Sequence, residues 1–317
     1  MGKIKPLYDG IKLNAAITSD NHLDITSNTN KNRIKIIRRT LKDVQKSAVP
    51  MDAYITVGDM TSKGLTENWE KVKKCFDGVK PAKQILFTLG NHDSWDENKY
   101  KGYANAIKNY YKYNEIICGQ KLDRPYFSRI INGYYFIFLG STDVPENEDC
   151  AALGDEQLAW FKSELDTAAE SGNPIFVFCH QSINNNHGLP RTWEEKEEDW
   201  EPEIGGIGSE SDKVKGILTQ YKNVFYFSGH SHMGLCGENS LKTNAFASFE
   251  QHDGVNYINL PCLTRPNHHG ETNKTGFGLL LEVYGDRVVI RPRRFEAKRM
   301  NKKIIIKDDK PYFEEKF

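Results

Sequence analysis

Short runs of apolar residues recur along the chain, each stopped by a glycine or a polar turn and most followed by a stretch with helical spacing. Ile11 to Thr18 predicts a first strand, with Ser19-Asp20-Asn21-His22 at its end. From Asn32 to Ala48 the apolar residues Ile36, Ile37, Leu41 and Val44 keep a helical spacing with a basic outer face. Ala53 to Val57 predicts a second strand, which ends in Gly58-Asp59. Thr66 is placed to N-cap a helix through Trp69, Val72 and Phe76. Gln84 to Leu89 is apolar enough for a strand buried on both faces, and it stops at Gly90-Asn91-His92-Asp93. Gly90 is expected to let the backbone turn sharply there. A helix rich in tyrosine and lysine is expected over 97–113.

The same alternation continues. Tyr134 to Leu139 reads as a strand, and Gly154-Asp155 opens a helix carrying Leu158, Trp160, Phe161 and Leu165. Pro174 to Cys179 predicts a strand ending at His180, and Val224 to Phe227 one ending at Gly229-His230-Ser231-His232. Past residue 245 the pattern changes to strands and turns. Tyr257 to Leu260, Gly278 to Tyr284, Arg287 to Pro292 and Lys303 to Lys307 read as an antiparallel group. The segment 182–210 is the longest without apolar periodicity and holds the acidic, tryptophan-bracketed stretch from Trp193 to Glu201. The chain shows no internal repeat.

Composition narrows the function. The chain has 317 residues, enough for a sizeable core. Lys plus Arg and Asp plus Glu both total 43, so no global field draws it to nucleic acid or an anionic membrane. No apolar run approaches the roughly 20 residues that span a bilayer. The start, Met1-Gly2-Lys3-Ile4-Lys5-Pro6, has no apolar segment after its lysines, so no signal peptide is read, and Leu7 argues against a myristoylated Gly2. Six cysteines without C-x-x-C spacing, several in apolar strands, predict reduced structural thiols and a cytoplasmic protein.

Five predicted strands run straight into possible ligands: Asp20 and His22, Asp59, Asn91, His180, then His230 and His232. The carboxyl ends of strands are where ligands gather in α/β sheets. Five of the nine histidines (His22, His92, His180, His230 and His232) fall at these ends, which a scatter of turn residues and core histidines would not produce. Oxygen and imidazole ligands without thiolate suit manganese, iron or zinc. Seven ligands are too many for one tetrahedral ion and fit two ions sharing a carboxylate.

The blocks Asp20-x-His22, Gly58-Asp59, Gly90-Asn91-His92-Asp93, His180 and Gly229-His230-Ser231-His232 resemble the calcineurin-like metallophosphoesterase signature, in the family's order and over more than 200 residues. The resemblance implies an α/β four-layer αββα sandwich, two mixed sheets face to face with helices outside. It also implies a single domain over 1–317, with 182–210 a loop insertion near the active site and the strands of 245–317 completing the second sheet. Position by position, it puts Asp20, His22, Asp59 and His232 on one metal and Asp59, Asn91, His180 and His230 on the other. The family's nucleophile is a hydroxide between the ions. His92 would protonate the leaving oxygen, and Asp93 would orient that imidazole.

Departures from particular branches carry further expectations. Gly58-Asp59-Met60-Thr61-Ser62 lacks the Asp-Arg-Gly element of the phosphoprotein phosphatases, and Ser62 stands where purple acid phosphatases place a ligating tyrosine. The Asp93 ending is similar to the cyclic-nucleotide and nucleotide phosphodiesterase branches. Gln181-Ser182 after His180 replaces the family's usual proline-bearing turn. Trp193 to Glu201 reads as a solvated loop, with a substrate-selecting lid as its alternative. His268-His269 reads as a surface loop, with phosphate contact as its alternative; His187 and His252 read as background. The expected function is hydrolysis of a phosphodiester or monoester of a small molecule such as a nucleotide. The alternatives are a nuclease and a non-catalytic scaffold. The complete ligand set disfavours the scaffold, and neutral charge disfavours the nuclease.

Overall fold

The computed structural model describes residues 3–25, 28–96, 102–193, 205–237, 246–268, 275–295, 307 and 310–317. In chain order the regular elements are β1 (Leu13–Thr18), α1 (Asn28–Gln45), β2 (Met51–Val57), α2 (Thr66–Phe76), β3 (Ala82–Thr88), α3 (Tyr103–Tyr113), β4 (Phe127–Ile131) and β5 (Tyr134–Phe138). They continue with α4 (Gly154–Ala169), β6 (Ile175–Phe178), α5 (Ser211–Leu218), β7 (Val224–Ser228), β8 (Phe249–His252), β9 (Val255–Asn259), β10 (Phe277–Val283), β11 (Arg287–Arg294) and β12 (Phe313–Lys316).

Two six-stranded sheets form, in the orders β12-β11-β10-β1-β2-β3 and β4-β5-β6-β7-β9-β8. β1, β2 and β10 are buried at every position, because both faces of their sheet are covered. Alternate residues show how. Leu13, Ala15 and Ile17 of β1 face inward to a core shared with Phe136, Phe138, Phe176, Phe178, Phe225 and Phe227 of the other sheet. Phe178 stacks on Phe138 at 4.8 Å and on Phe227 at 5.0 Å, across three adjacent strands. Each such ring, fully buried, contributes about 1.5–3 kcal/mol. Ala16 of β1 faces the other way, into a core that includes Leu41 and Val44 of α1, Trp69 and Val72 of α2 and Tyr110 of α3. Helices α4 and α5 cover the outer face of the second sheet through Leu158, Phe161, Leu165, Val214 and Leu218. The architecture is the expected αββα sandwich.

Three expectations change. Thr66 is the first helical residue of α2 and caps nothing: the N-cap position is Leu65, and Thr66 Oγ1 donates instead to Asn109 Oδ1 at 3.2 Å. The late strands form no single antiparallel group, nor do they all complete the second sheet. β9 lies parallel to β7 in the second sheet, whereas β10 and β11 extend the first sheet, where β10 pairs antiparallel with β1. β1 thus lies between β10 and β2, interleaving the chain after residue 245 with its beginning. Of the helix expected over 97–113, Tyr103 to Tyr113 is helical and residues 97–101 lie outside the described residues. Of the strand expected at Lys303 to Lys307, only Lys307 is among the described residues, in a bridge to Lys310.

Candidate metal centre

β1, β2 and β3 run parallel, and so do β6 and β7, so each sheet presents its strands' carboxyl ends along one edge. The two edges meet. His180, after β6, places Nδ1 2.8 Å from the Val57 carbonyl at the end of β2. The backbone N–H of His230, after β7, donates to Asp20 Oδ2 at 3.2 Å. Asp20, His22, Asp59 and His232 bring one ligand atom each within 4.8 Å of one another, and Asp59, His180 and His230 do the same. Asp59 belongs to both sets. Asn91 stands beside them: the next N–H, of His92, donates to Asp59 Oδ1 at 3.0 Å.

The local backbone explains the presentation. Asp20, His22, Asp59, His230 and His232 all have left-handed φ, between 44° and 67°. Such conformations cost a non-glycine residue on the order of 1–3 kcal/mol and persist only where surrounding bonds hold them. Here Asp20 N–H donates to Gly58 O at 3.2 Å, His22 N–H to Asp59 O at 2.9 Å and Gly229 N–H to His180 O at 2.9 Å. Gly90 lies between the end of β3 and a helical turn that begins at His92, and its φ is not left-handed. Its missing side chain makes room: a Cβ there would lie 2.2 Å from both N and Oδ1 of Asp59.

Burial by itself would raise both carboxylates, but the imidazoles outweigh it. His232 and His22 hold Asp20 well below the usual carboxylate range, and His180, His92 and His22 do the same for Asp59. Burial, its largest influence, disfavours the charged form of His180, yet Asp59 and Asp20 push it up to about 9. Burial and the neighbouring His180 bring His230 down to about 3.

The donor set fits metal ions. Nε2 of His180, Nε2 of His230 and Oδ1 of Asn91 are buried with no hydrogen-bond partner. A carbonyl only accepts, so Nδ1 of His180 keeps its proton, and Nε2, 3.3 Å from Asp59 Oδ2, is the nitrogen that can give up its own and turn a lone pair to a metal. Asn91 Nδ2 is tied to the Glu148 carbonyl at 3.2 Å, which leaves Oδ1 as the free acceptor. Nε2 of His22 and of His232 approach to 2.9 Å, a spacing at which two lone pairs need a proton or a cation to share. Six of the seven side chains are buried and His232 is half-buried, which puts the mouth of the centre on its side.

His92 is half-buried, with its ring 4.7 Å from that of His22 and 3.9 Å from that of Trp95. Its Nδ1 donates to the Ser62 carbonyl at 2.9 Å. Ser62, not Asp93, therefore orients the imidazole. The Asp93 carboxylate instead accepts from the N–H groups of Met60, Thr61 and Gly90 at 2.9–3.2 Å and from Thr61 Oγ1 at 2.8 Å. It ties the turn after Asp59 to the turn after β3, and burial and the Asp59 charge push it to about 7.

Further side chains border the centre. Trp193 packs its ring 4.5 Å from that of His230, while residues 194–201 of the acidic stretch lie outside the described residues. His268 stacks 5.9 Å from His232 and donates its N–H to the His232 carbonyl at 3.0 Å; His269 lies outside the described residues. His187 is a buried structural residue, with Nδ1 on the Ala247 carbonyl at 2.9 Å. Beneath the loop that carries His230 and His232, Asn259 accepts from Ser231 Oγ at 2.9 Å and donates to the Gly229 carbonyl at 3.0 Å. A polar residue ending an otherwise buried strand is the signal that marks Asn259 in the sequence. None of the six cysteines is in a disulfide, and among the described residues no helix is long and apolar enough to cross a membrane.

Comparison with known proteins agrees with this geometry. No curated protein matches the chain in sequence. Among solved structures it is similar to a dimetal phosphatase from Danio rerio, at 12% identity and a TM-score of 0.57, covering 90% of this chain and 96% of that one. It is also similar to the purple acid phosphatase PPD1 from yellow lupin (Lupinus luteus), at 11% identity and a TM-score of 0.57, where it covers 90% of this chain and 52% of the larger lupin protein. At these identities the likeness is one of fold. The calcineurin-like phosphoesterase family matches residues 13–234, more than half of the chain and all of the strand-end blocks. The chain belongs to the calcineurin-like phosphoesterase family and is a metal-dependent phosphoesterase.

Proposed function

We propose that the chain is a dinuclear-metal hydrolase of small-molecule phosphodiesters or monoesters, a nucleotide being a representative substrate. One observation carries the reading: two ligand sets share Asp59, and the half-buried His92 stands next to them. Asp20, His22, Asp59 and His232 would hold one ion, and Asp59, Asn91, His180 and His230 the other. When bound, two cations neutralise the phosphoryl oxygens and lower the pKa of water enough to ionise it near neutrality.

The chain's own residues supply the rest. With Nδ1 committed to the Ser62 carbonyl, the remaining nitrogen of His92 is free to hand a proton to the leaving oxygen. Burial lowers the His92 pKa, which makes the imidazolium a stronger acid but shortens the pH range in which it is charged. Trp95 packs on that ring and restricts its tilt. Asp93 is a positioning residue, acting through the Met60 and Thr61 N–H groups on the turn that carries Asp59. The test is a screen of monoesters, diesters and nucleotides with metal-loaded and chelator-treated protein. Hydrolysis that is lost on chelation and recovered on adding manganese, iron or zinc is expected. Hydrolysis of none of these classes by loaded protein refutes the reading.

A further inference from the structure

Two arginines that this chemistry leaves unused stand against the turn that carries Asp20 and His22. Arg33, in α1, donates from Nη1 to the main-chain carbonyl of His22 at 2.5 Å, and its Nε is buried without a hydrogen-bond partner. Arg265 lies in the connection from β9 to β10, which is laced to the turn holding Asp20 and His22. Leu263 N–H donates to Ser19 O at 3.0 Å, Cys262 Sγ to Asp20 O at 3.1 Å and Thr264 Oγ1 to Asn21 O at 2.7 Å. The same connection brings His268 onto His232.

The two arginines converge on one turn. Arg33 holds the His22 carbonyl, and Thr264, the residue before Arg265, holds the neighbouring carbonyl of Asn21. Neither arginine makes an ion pair with a carboxylate among the described residues. Both are half-buried, so solvent screens their repulsion only in part. Arg33 serves the fold through the His22 carbonyl, but a second like charge beside it adds nothing to that role. The two suit an anion that lies between them, and the planar guanidinium fork matches phosphate oxygens.

We propose that Arg33 and Arg265 form a second anion subsite beside the metal centre, and that the substrates are small molecules carrying two phosphate groups. One phosphate reacts at the metals while the arginines grip the other. The inference rests on the phosphohydrolase reading, and binding tests it separately from turnover.

The experiment uses metal-loaded protein and two probes, a sugar bisphosphate and the corresponding monophosphate. Binding is measured by calorimetry, and kcat/KM is measured for each. Wild type is expected to prefer the bisphosphate in both. Arg265→Gln should cut bisphosphate affinity and kcat/KM by roughly 10- to 100-fold, the scale of a lost hydrogen bond between charged groups, and should cost the monophosphate far less. Arg265→Lys should retain part of the preference, since it keeps the charge and loses the fork. Arg33→Gln should act in the same direction; should it fail to fold, the two Arg265 variants carry the test. Equal binding of the two probes by wild type overturns the proposal, as does an unchanged preference in Arg265→Gln with metal content intact. Bisphosphate binding that depends on Arg265 in a protein hydrolysing no phosphoester supports the subsite while refuting the hydrolase reading.

Discussion

Gly90→Ala tests the centre without touching a ligand. The added Cβ would stand 2.2 Å from Asp59 N and Oδ1, where about 3.0 Å is the closest that Cβ atoms come. Asp59 or the turn after β3 must therefore retreat by about 0.8 Å. One of the two clashing atoms is backbone, so a rotamer change cannot relieve the contact. Asp59 serves both ligand sets, so the displacement reaches both ions together. A misplacement of about 1 Å at reacting groups costs about 10²-fold, and that is the expected loss in kcat/KM, together with weaker metal retention. Metal content by mass spectrometry and kcat/KM at saturating metal are the readouts, with circular dichroism to show that the fold survives. Gly216→Ala is the control: in α5 its Cβ meets nothing within 4 Å, and alanine should be neutral or stabilise by about 0.5–1 kcal/mol. Wild-type turnover and metal content in Gly90→Ala would refute the packing of Asp59 against this glycine as the device that sets the centre.

Three further outcomes are expected. His92→Ala should lose roughly 10²–10⁴-fold on an ester with an alkoxide leaving group and far less on a nitrophenyl ester, with metals retained; equal losses across the series mean that His92 binds phosphate instead. Loading the metal-free protein at about pH 7.5 should release at least one proton per chain, because His180, raised to about 9, is charged at that pH and must become neutral to bind metal, whereas His230, lowered to about 3, is already neutral. Calorimetric titration in buffers of different ionisation enthalpy measures this, the His180 share of the release should fade above pH 9, and no release at the lower pH contradicts the assignment. Trp193→Ala, which removes the ring packed on His230, should shift relative rates among substrates while metal content holds; an unchanged substrate profile means that the tryptophan only fills space.

The ligand set is legible in the sequence because each member follows its strand by two to four residues, so chain order alone places it. Buried strands announce themselves by continuous apolar runs, as in β2 and β10. What is not legible depends on long-range pairing. Nothing in Phe277–Val283 says that it pairs with β1 rather than with β9, since either neighbour offers an apolar strand edge. Asp93 is adjacent in sequence to His92, yet three N–H groups and a hydroxyl compete for its oxygens and win. Thr66 has the chemistry of a cap, but Asn109 from α3 takes its hydroxyl. Arg33 reads as part of a basic outer helix face, and only the folded chain turns it onto the His22 carbonyl.

The central claim is a pair of ions sharing Asp59, and metal content tests it most directly. Protein purified without chelators should carry two ions per chain, as the two ligand sets require. Asp59→Asn should retain markedly less of both and lose at least roughly 10²-fold in activity, the scale of a lost charge-stabilising group in the transition state. Less than one ion per chain in wild type, with hydrolysis indifferent to chelation and metal re-addition, would contradict the account.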